Sequence, residues 1–195
     1  QRQMCIRDRD QSVYINYWKN TEVENLLNMH INEKQAVIGG TSAGMAILGS
    51  SYFSANNGTV YSSEALEDPY NTFMTFGHND FLEIPLLNNT ITDTHFSERD
   101  REGRILTFIA RMNDELGAHS FGIACDEYTA VCIDSSGLGT VGLDGLHLFS
   151  PVSHVEEDRL RSRRASPLNV LIGGNSINIT NQTSPGRAIV LATPD

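Results

Sequence analysis

The chain has 195 residues, 39% of them hydrophobic, which is enough for one well-buried domain and too few for two ordinary ones. Its formal net charge of -10 argues against a phosphate backbone as partner, and it contains no apolar run of the roughly 18 residues that would span a bilayer. Nucleic-acid and membrane functions are set aside on those grounds.

In chain order, Gln1 to Arg9 reads as translated sequencing-adapter sequence, a foreign scar, so the native protein is expected to start near Asp10. Removing the scar makes the remainder more acidic and takes Cys5 out of the cysteine count. From Val13 to Ile31 the residues Val13, Tyr17, Val23, Leu26, Leu27 and Ile31 recur at near-helical spacing and lead into a strand, Ala36 to Ile38. A doubly wound sheet should have another strand before such an α-then-β unit. Residues 10–195 are therefore expected to be a partial domain that has lost its first β/α units.

The strand breaks into Gly39-Gly40-Thr41-Ser42-Ala43-Gly44 and resumes as a helix-forming stretch, roughly Gly44 to Ser50. The G-x-S-x-G spacing around Ser42 reads as a nucleophile elbow, a sharp strand-to-helix turn that exposes one hydroxyl at the edge of a sheet. The backbone N–H of Ala43 would be one oxyanion donor there. Taken alone the pattern is ambiguous, because similar turns bind phosphate or simply join buried elements.

The polar stretch from Ala55 to Asp80, with Asn57-Gly58, Asp68-Pro69 and Gly77, reads as a surface crossing near the mouth of the site rather than as a second core. Asn88-Asn89 turns into a strand at Thr90 to Thr92. Arg104 to Met112 predicts an amphipathic helix with Ile105, Phe108, Ile109 and Met112 inward. Gly122 to Ala124 and Ala130 to Ile133 read as strands, with Asp126-Glu127 at the break between them. Cys125 and Cys132 flank that acidic pair at no metal-ligand spacing, favouring buried small hydrophobes, with a disulfide left open. Glycines from Ser135 to Gly145 suggest hairpin turns, and the charged run Glu156 to Arg164 reads as a solvated loop. Leu168 to Ile172, Ile177 to Ile179 and Ala188 to Leu191 read as terminal strands.

Three of these segments fit together: the Gly40-Thr41-Ser42-Ala43-Gly44 elbow, the block Asp93-Thr94-His95-Phe96-Ser97-Glu98-Arg99-Asp100-Arg101-Glu102-Gly103-Arg104, and the block Gly122 to Ala130. In that order they resemble the cyanophycinase and dipeptidase E family of serine peptidases, with its G-T-S-A-G, D-x-H-F-x-x-R-x-R-x-G-R and G-I-x-x-D-E-x-T-A motifs. The likeness runs from about Asp10 to Ile133 and fades after Gly145. It implies an α/β three-layer sandwich with a mostly parallel sheet, like class I glutamine amidotransferases, and no cofactor or metal.

The resemblance assigns Ser42 as nucleophile, His95 as base and Glu127 as triad acid, with Asp126 the competing carboxylate. A serine hydroxyl is a poor nucleophile until an imidazole takes its proton, and a carboxylate fixes that imidazole's tautomer. Gln11, Asp93, Arg101 and Arg104 match positions that line the family's substrate site, where a cation would meet the free carboxylate of a β-linked aspartyl unit. Arg99, Arg101 and Arg104 also sit where a helix-opening surface charge would be unremarkable. Thr94 replaces the glutamine common in cyanophycinases, so the substrate is either cyanophycin-like or another acidic peptide. The His95 to Glu127 spacing is wider than in compact members, which reads as a loop insertion around Asn113 to Ser120. His30, His78, His119, His147 and His154 default to surface or packing roles. The second oxyanion donor would come from a loop of which only Asp10-Gln11 remains, so the chain as given is expected to be inactive. A catalytically silent binding protein of the same fold is the rival reading, and a glutamine amidotransferase is a weaker one, because that chemistry uses cysteine at the elbow. Export or cytoplasmic residence, and a homodimer, stay open.

Overall fold

The computed structural model describes residues 10–117 and 119–134, and beyond them the strands at 137–142, 145–149, 153–156, 159–162, 168–172, 176–177 and 189–193. Residues 1–9, read above as a foreign scar, lie outside the described residues. The first helical segment is two helices, α1 (Gln11–Trp18) and α2 (Glu22–Asn32), where one was expected. The chain breaks at Asn20, whose φ of 59° is left-handed, a conformation that asparagine tolerates better than most residues. Each helix then gains its own cap: Asp10 Oδ1 accepts from the Ser12 N–H at 2.9 Å, and Thr21 Oγ1 from the Val23 N–H at 3.2 Å.

Strand β1 is Ile38–Thr41, later than the apolar run alone suggests, because it begins where pairing with the last strand begins. Helix α3 is the single turn Ala43–Ala46, not a helix continuing to Ser50. The chain must leave it early to pass close to a neighbouring strand, and a Cβ on Gly49 would come within 2.4 Å of the Thr90 carbonyl oxygen. Strand β2 (Ser51–Phe53) follows. The stretch expected to be plain surface contains helix α4 (Ser62–Glu67) and strand β3 (Phe76–His78), and it buries Val60, Ala65 and Met74. Its apolar residues are too sparse to show a period, yet they complete a second core cluster.

Strand β4 (Thr90–Thr94) is entered through Asn89, which is also left-handed. Helix α5 (Glu102–Leu116) buries Ile105, Phe108, Ile109 and Met112 as the spacing predicts. Each such side chain contributes roughly 1.5–3 kcal/mol on burial. The expected insertion at Asn113 to Ser120 is in part the last turn of α5, closed by Gly117 in the left-handed conformation and by Asn113 Oδ1, which accepts from the Ser120 N–H at 2.9 Å. Strands β5 (Phe121–Cys125) and β6 (Thr129–Asp134) follow.

Beyond Asp134 the glycine-rich segment holds strand β7 (Gly137–Gly142), followed by β8 (Gly145–Phe149). The charged run is not simply a loop: β9 (Ser153–Glu156) pairs antiparallel with β10 (Arg159–Ser162), in a register that sets Arg159 opposite Glu156. The terminal strands are β11 (Leu168–Ile172), β12 (Ser176–Ile177) and β13 (Ile189–Thr193). Residues 178–179 and 188, expected in strands, lie outside the described residues.

The result is an α/β fold of mixed sheets flanked by helices. One sheet runs β11-β8-β5-β4-β2-β3, with β2, β4 and β5 parallel at its centre; another runs β1-β13-β6-β7-β12, with β1 parallel to β13. On one side, Met45, Ile47, Leu48, Tyr52 and Ile123 pack with α1 and α2 residues; on the other, Phe53, Ile91 and Phe96 pack on the apolar face of α5. Cys125 and Cys132 are both free thiols, and burial pushes that of Cys125 up.

Candidate active site

Ser42 follows the last residue of β1 and caps α3, with φ 49° and ψ -120°. A β-carbon at Gly40 would lie 2.2 Å from the Gly44 carbonyl oxygen, so the chain can double back this tightly only over glycine. The turn stores strain at the one residue it presents. Ala43 is the first residue of α3, so its N–H has no acceptor within the helix. The helix is too short for a large macrodipole, and any stabilisation of negative charge there must come from that local N–H.

His95 follows the final residue of β4 and is also left-handed, with φ 48°. Its Nε2 lies 3.0 Å from Ser42 Oγ, and its Nδ1 lies 2.6 Å from Glu127 Oε1. The three side chains, 53 and 32 residues apart in sequence, thus form one continuous hydrogen-bonded chain at the C-terminal ends of β1, β4 and β5. Asp126 points elsewhere, and its Oδ1 accepts from the Ser97 N–H at 2.8 Å. Burial lowers the affinity of His95 for a proton; Glu127 opposes this, while Arg99 and Arg101 add to it, and the net direction is below the ordinary imidazole value. A neutral imidazole is what a general base requires.

Asp93, two residues before His95, is fully buried. Burial alone would raise its carboxyl, but Arg104 and Arg101, with hydrogen bonds from Arg104 and the Thr94 N–H, hold it below the usual carboxylate range. Arg104 grips it with two nitrogens, Nε on Oδ2 at 2.7 Å and Nη2 on Oδ1. Arg101 anchors through Nη1 alone, to Asp93 Oδ1 at 3.1 Å and to the Thr94 carbonyl at 2.6 Å. The Arg104 side chain is 5% exposed and that of Arg101 14%. Two guanidiniums against one carboxylate leave one net positive charge beside the His95 strand end. Burial pushes Arg101 down to about 10, so it remains a cation at neutral pH.

Gln11, on α1, donates from Nε2 to the Phe53 carbonyl at 3.0 Å and is partly buried. His78 has partners that the sequence did not reveal: Nδ1 lies 2.8 Å from Ser51 Oγ and Nε2 lies 3.0 Å from Glu115 Oε2. The role of Glu98 was also missed; its Oε1 accepts from the Glu127 N–H at 2.7 Å. The only sequence signal for it was its place three residues after the histidine. Among the described residues, no cluster of three or more His, Cys, Asp or Glu is disposed to hold a metal ion, and no helix is long and apolar enough to cross a membrane.

No family model matches the chain. It is similar to cyanophycinases: that of Trichormus variabilis at 26% identity over 153 residues, covering 77% of this chain and 45% of the relative, and that of Synechococcus elongatus at 24% over 161 residues, covering 78% and 45%. The cyanophycinase of Thermosynechococcus vestitus matches to the same extent as the latter. The chain thus spans about half the length of the curated relatives it matches.

Proposed function

We propose that the protein is a serine-type peptidase that cleaves aspartyl or β-aspartyl peptide bonds through an acyl-enzyme on Ser42. The observation that carries this reading is the unbroken Ser42–His95–Glu127 hydrogen-bonded chain ending on a strained, glycine-flanked serine. In the first step Ser42 Oγ attacks the scissile carbonyl carbon while His95 Nε2 takes the hydroxyl proton. Glu127 holds the Nδ1–H and stabilises the imidazolium. The oxyanion is met by the Ala43 N–H, and His95 then returns its proton to the departing amine. Water, deprotonated by the same imidazole, attacks the acyl-enzyme and releases the acid.

Substrate choice follows from the net positive charge on the Asp93–Arg101–Arg104 cluster. Arg104 commits Nε and Nη2 to Asp93 and Nη1 to the Val60 carbonyl, and so supports the cluster; Arg101 anchors through one nitrogen and is the better placed to receive a free aspartyl carboxylate. Gln11 is assigned to the same subsite. Cyanophycin, whose arginine hangs from an aspartate side chain, fits this chemistry, as does another acidic peptide. A panel of β-Asp-Arg, β-Asp-Lys, α-Asp dipeptides and carboxylate-capped analogues tests it on the intact protein. Free carboxylates should be preferred, and Arg101→Ala should erase that preference. Equal kcat/KM for capped and free substrates would remove the aspartyl claim and leave a generic serine hydrolase.

A further inference from the structure

We infer that Glu98 is a positioning residue for the triad acid, fixing the backbone of Glu127 so that its carboxylate meets His95. This rests on the hydrolase reading above. Strands β4 and β5 pair in parallel as far as Thr94 opposite Cys125, and one more main-chain bond, Phe96 N–H to the Cys125 carbonyl at 3.2 Å, follows. Beyond that bond both chains leave the regular ladder, and His95 and Tyr128 are both left-handed, with φ of 48° and 56°.

Side chains continue the ladder. The Ser97 N–H donates to Asp126 Oδ1 at 2.8 Å, and the Glu127 N–H donates to Glu98 Oε1 at 2.7 Å. Each loop therefore supplies one amide and one carboxylate to the other, and these two rungs accompany the 2.6 Å bond between His95 and Glu127. Bonds from an N–H to an ionised carboxylate are shorter and stronger than neutral ones. Asp126 is buried and contributes to the packed end of the sheet. Glu98 is exposed, so little packing depends on its side chain. Without it, the Glu127 amide turns to water and the turn holding the acid loosens. His95 then loses part of the restraint on its ring and tautomer, a loss felt in proton transfer and not in substrate binding.

The test compares Glu98→Ala and Glu98→Gln in the intact protein, alone and combined with Glu127→Gln. The first readout is the rate at which a fluorophosphonate probe labels Ser42 across pH, which does not depend on knowing the substrate. The second is kcat and KM on a β-aspartyl dipeptide. Glu98→Ala should slow labelling and kcat about tenfold, the size expected of one charge-assisted hydrogen bond, and leave KM unchanged. Glu98→Gln should recover most of the rate, because its amide oxygen still accepts from the Glu127 N–H. In the Glu127→Gln background Glu98→Ala should add little. Parental labelling by Glu98→Ala, a Glu98→Gln as slow as Glu98→Ala, or full additivity with Glu127→Gln each overturns the inference. Probe labelling that persists in Ser42→Ala overturns the hydrolase reading instead, and a silent Glu98→Ala alongside an essential Ser42 sinks the Glu98 role alone.

Discussion

Among the described residues are two Ser–His–Glu hydrogen-bonded chains, and they differ in almost everything except composition. In Ser42–His95–Glu127 the serine sits outside a strand on a strained turn and the imidazole presents Nε2 to it; in Ser51–His78–Glu115 the serine is wholly buried within β2, and the ring is reversed, with Nδ1 on the serine. Ser51 and His78 face each other in the regular antiparallel register of β2 and β3, which alone accounts for their meeting. The second chain ties the sheet edge to the last turn of α5, where Glu115 also pairs with Arg111. A hydroxyl with no path to solvent cannot meet a carbonyl carbon. What separates the two is thus the backbone that presents the hydroxyl, not the identity of the three residues.

The sharpest way to break this contrast is to remove each hydroxyl in turn. Ser42→Ala should lower kcat at least about a thousandfold with little effect on folding, as when the nucleophile of a cooperating triad is lost. Ser51→Ala should do the reverse, leaving kcat nearly parental and lowering stability in urea by about 1 kcal/mol through a lost buried hydrogen bond. A Ser51→Ala protein that folds normally but has lost turnover would end the distinction.

A smaller effect sharpens the electrostatic side. Burial, Arg99 and Arg101 hold His95 below its usual value of 6.5, so its imidazole stays neutral as pH falls through that value. The acid limb of kcat/KM should accordingly lie below pH 6.5. Arg99→Gln removes one cation from its surroundings, raising the His95 value and moving that limb upward. Because Arg99 is exposed, added salt should shrink the displacement. A limb at or above 6.5 in the parent, or one moved downward by Arg99→Gln, would contradict this account.

The face of α5 and the segments that bring Ser42, His95 and Glu127 together were legible because their information is local: a helical period in one case, fixed short spacings in the others. Helix α4 and strand β3 were not, since Val60, Ala65 and Met74 are isolated apolar residues whose burial is decided by distant partners. The split between α1 and α2 turned on Asn20 and the Thr21 cap, a local signal masked by the longer apolar period running through it. For the arginines, sequence could name Arg101 and Arg104 but not their unequal attachment to Asp93. That inequality arises where a strand end meets a helix start, and it exists only in three dimensions.

The backbone at Ser42 also bears on thermal endurance. A non-glycine residue held at φ 49° and ψ -120° costs on the order of 1–3 kcal/mol, which the surrounding packing must absorb. Glycine meets no such cost at positive φ. Two variants that equally lack the hydroxyl should therefore melt differently: Ser42→Gly above Ser42→Ala, and above the parent protein as well. The chain would be more robust without the Ser42 hydroxyl, a conflict between endurance and the proposed activity of the kind found where function requires a strained conformation.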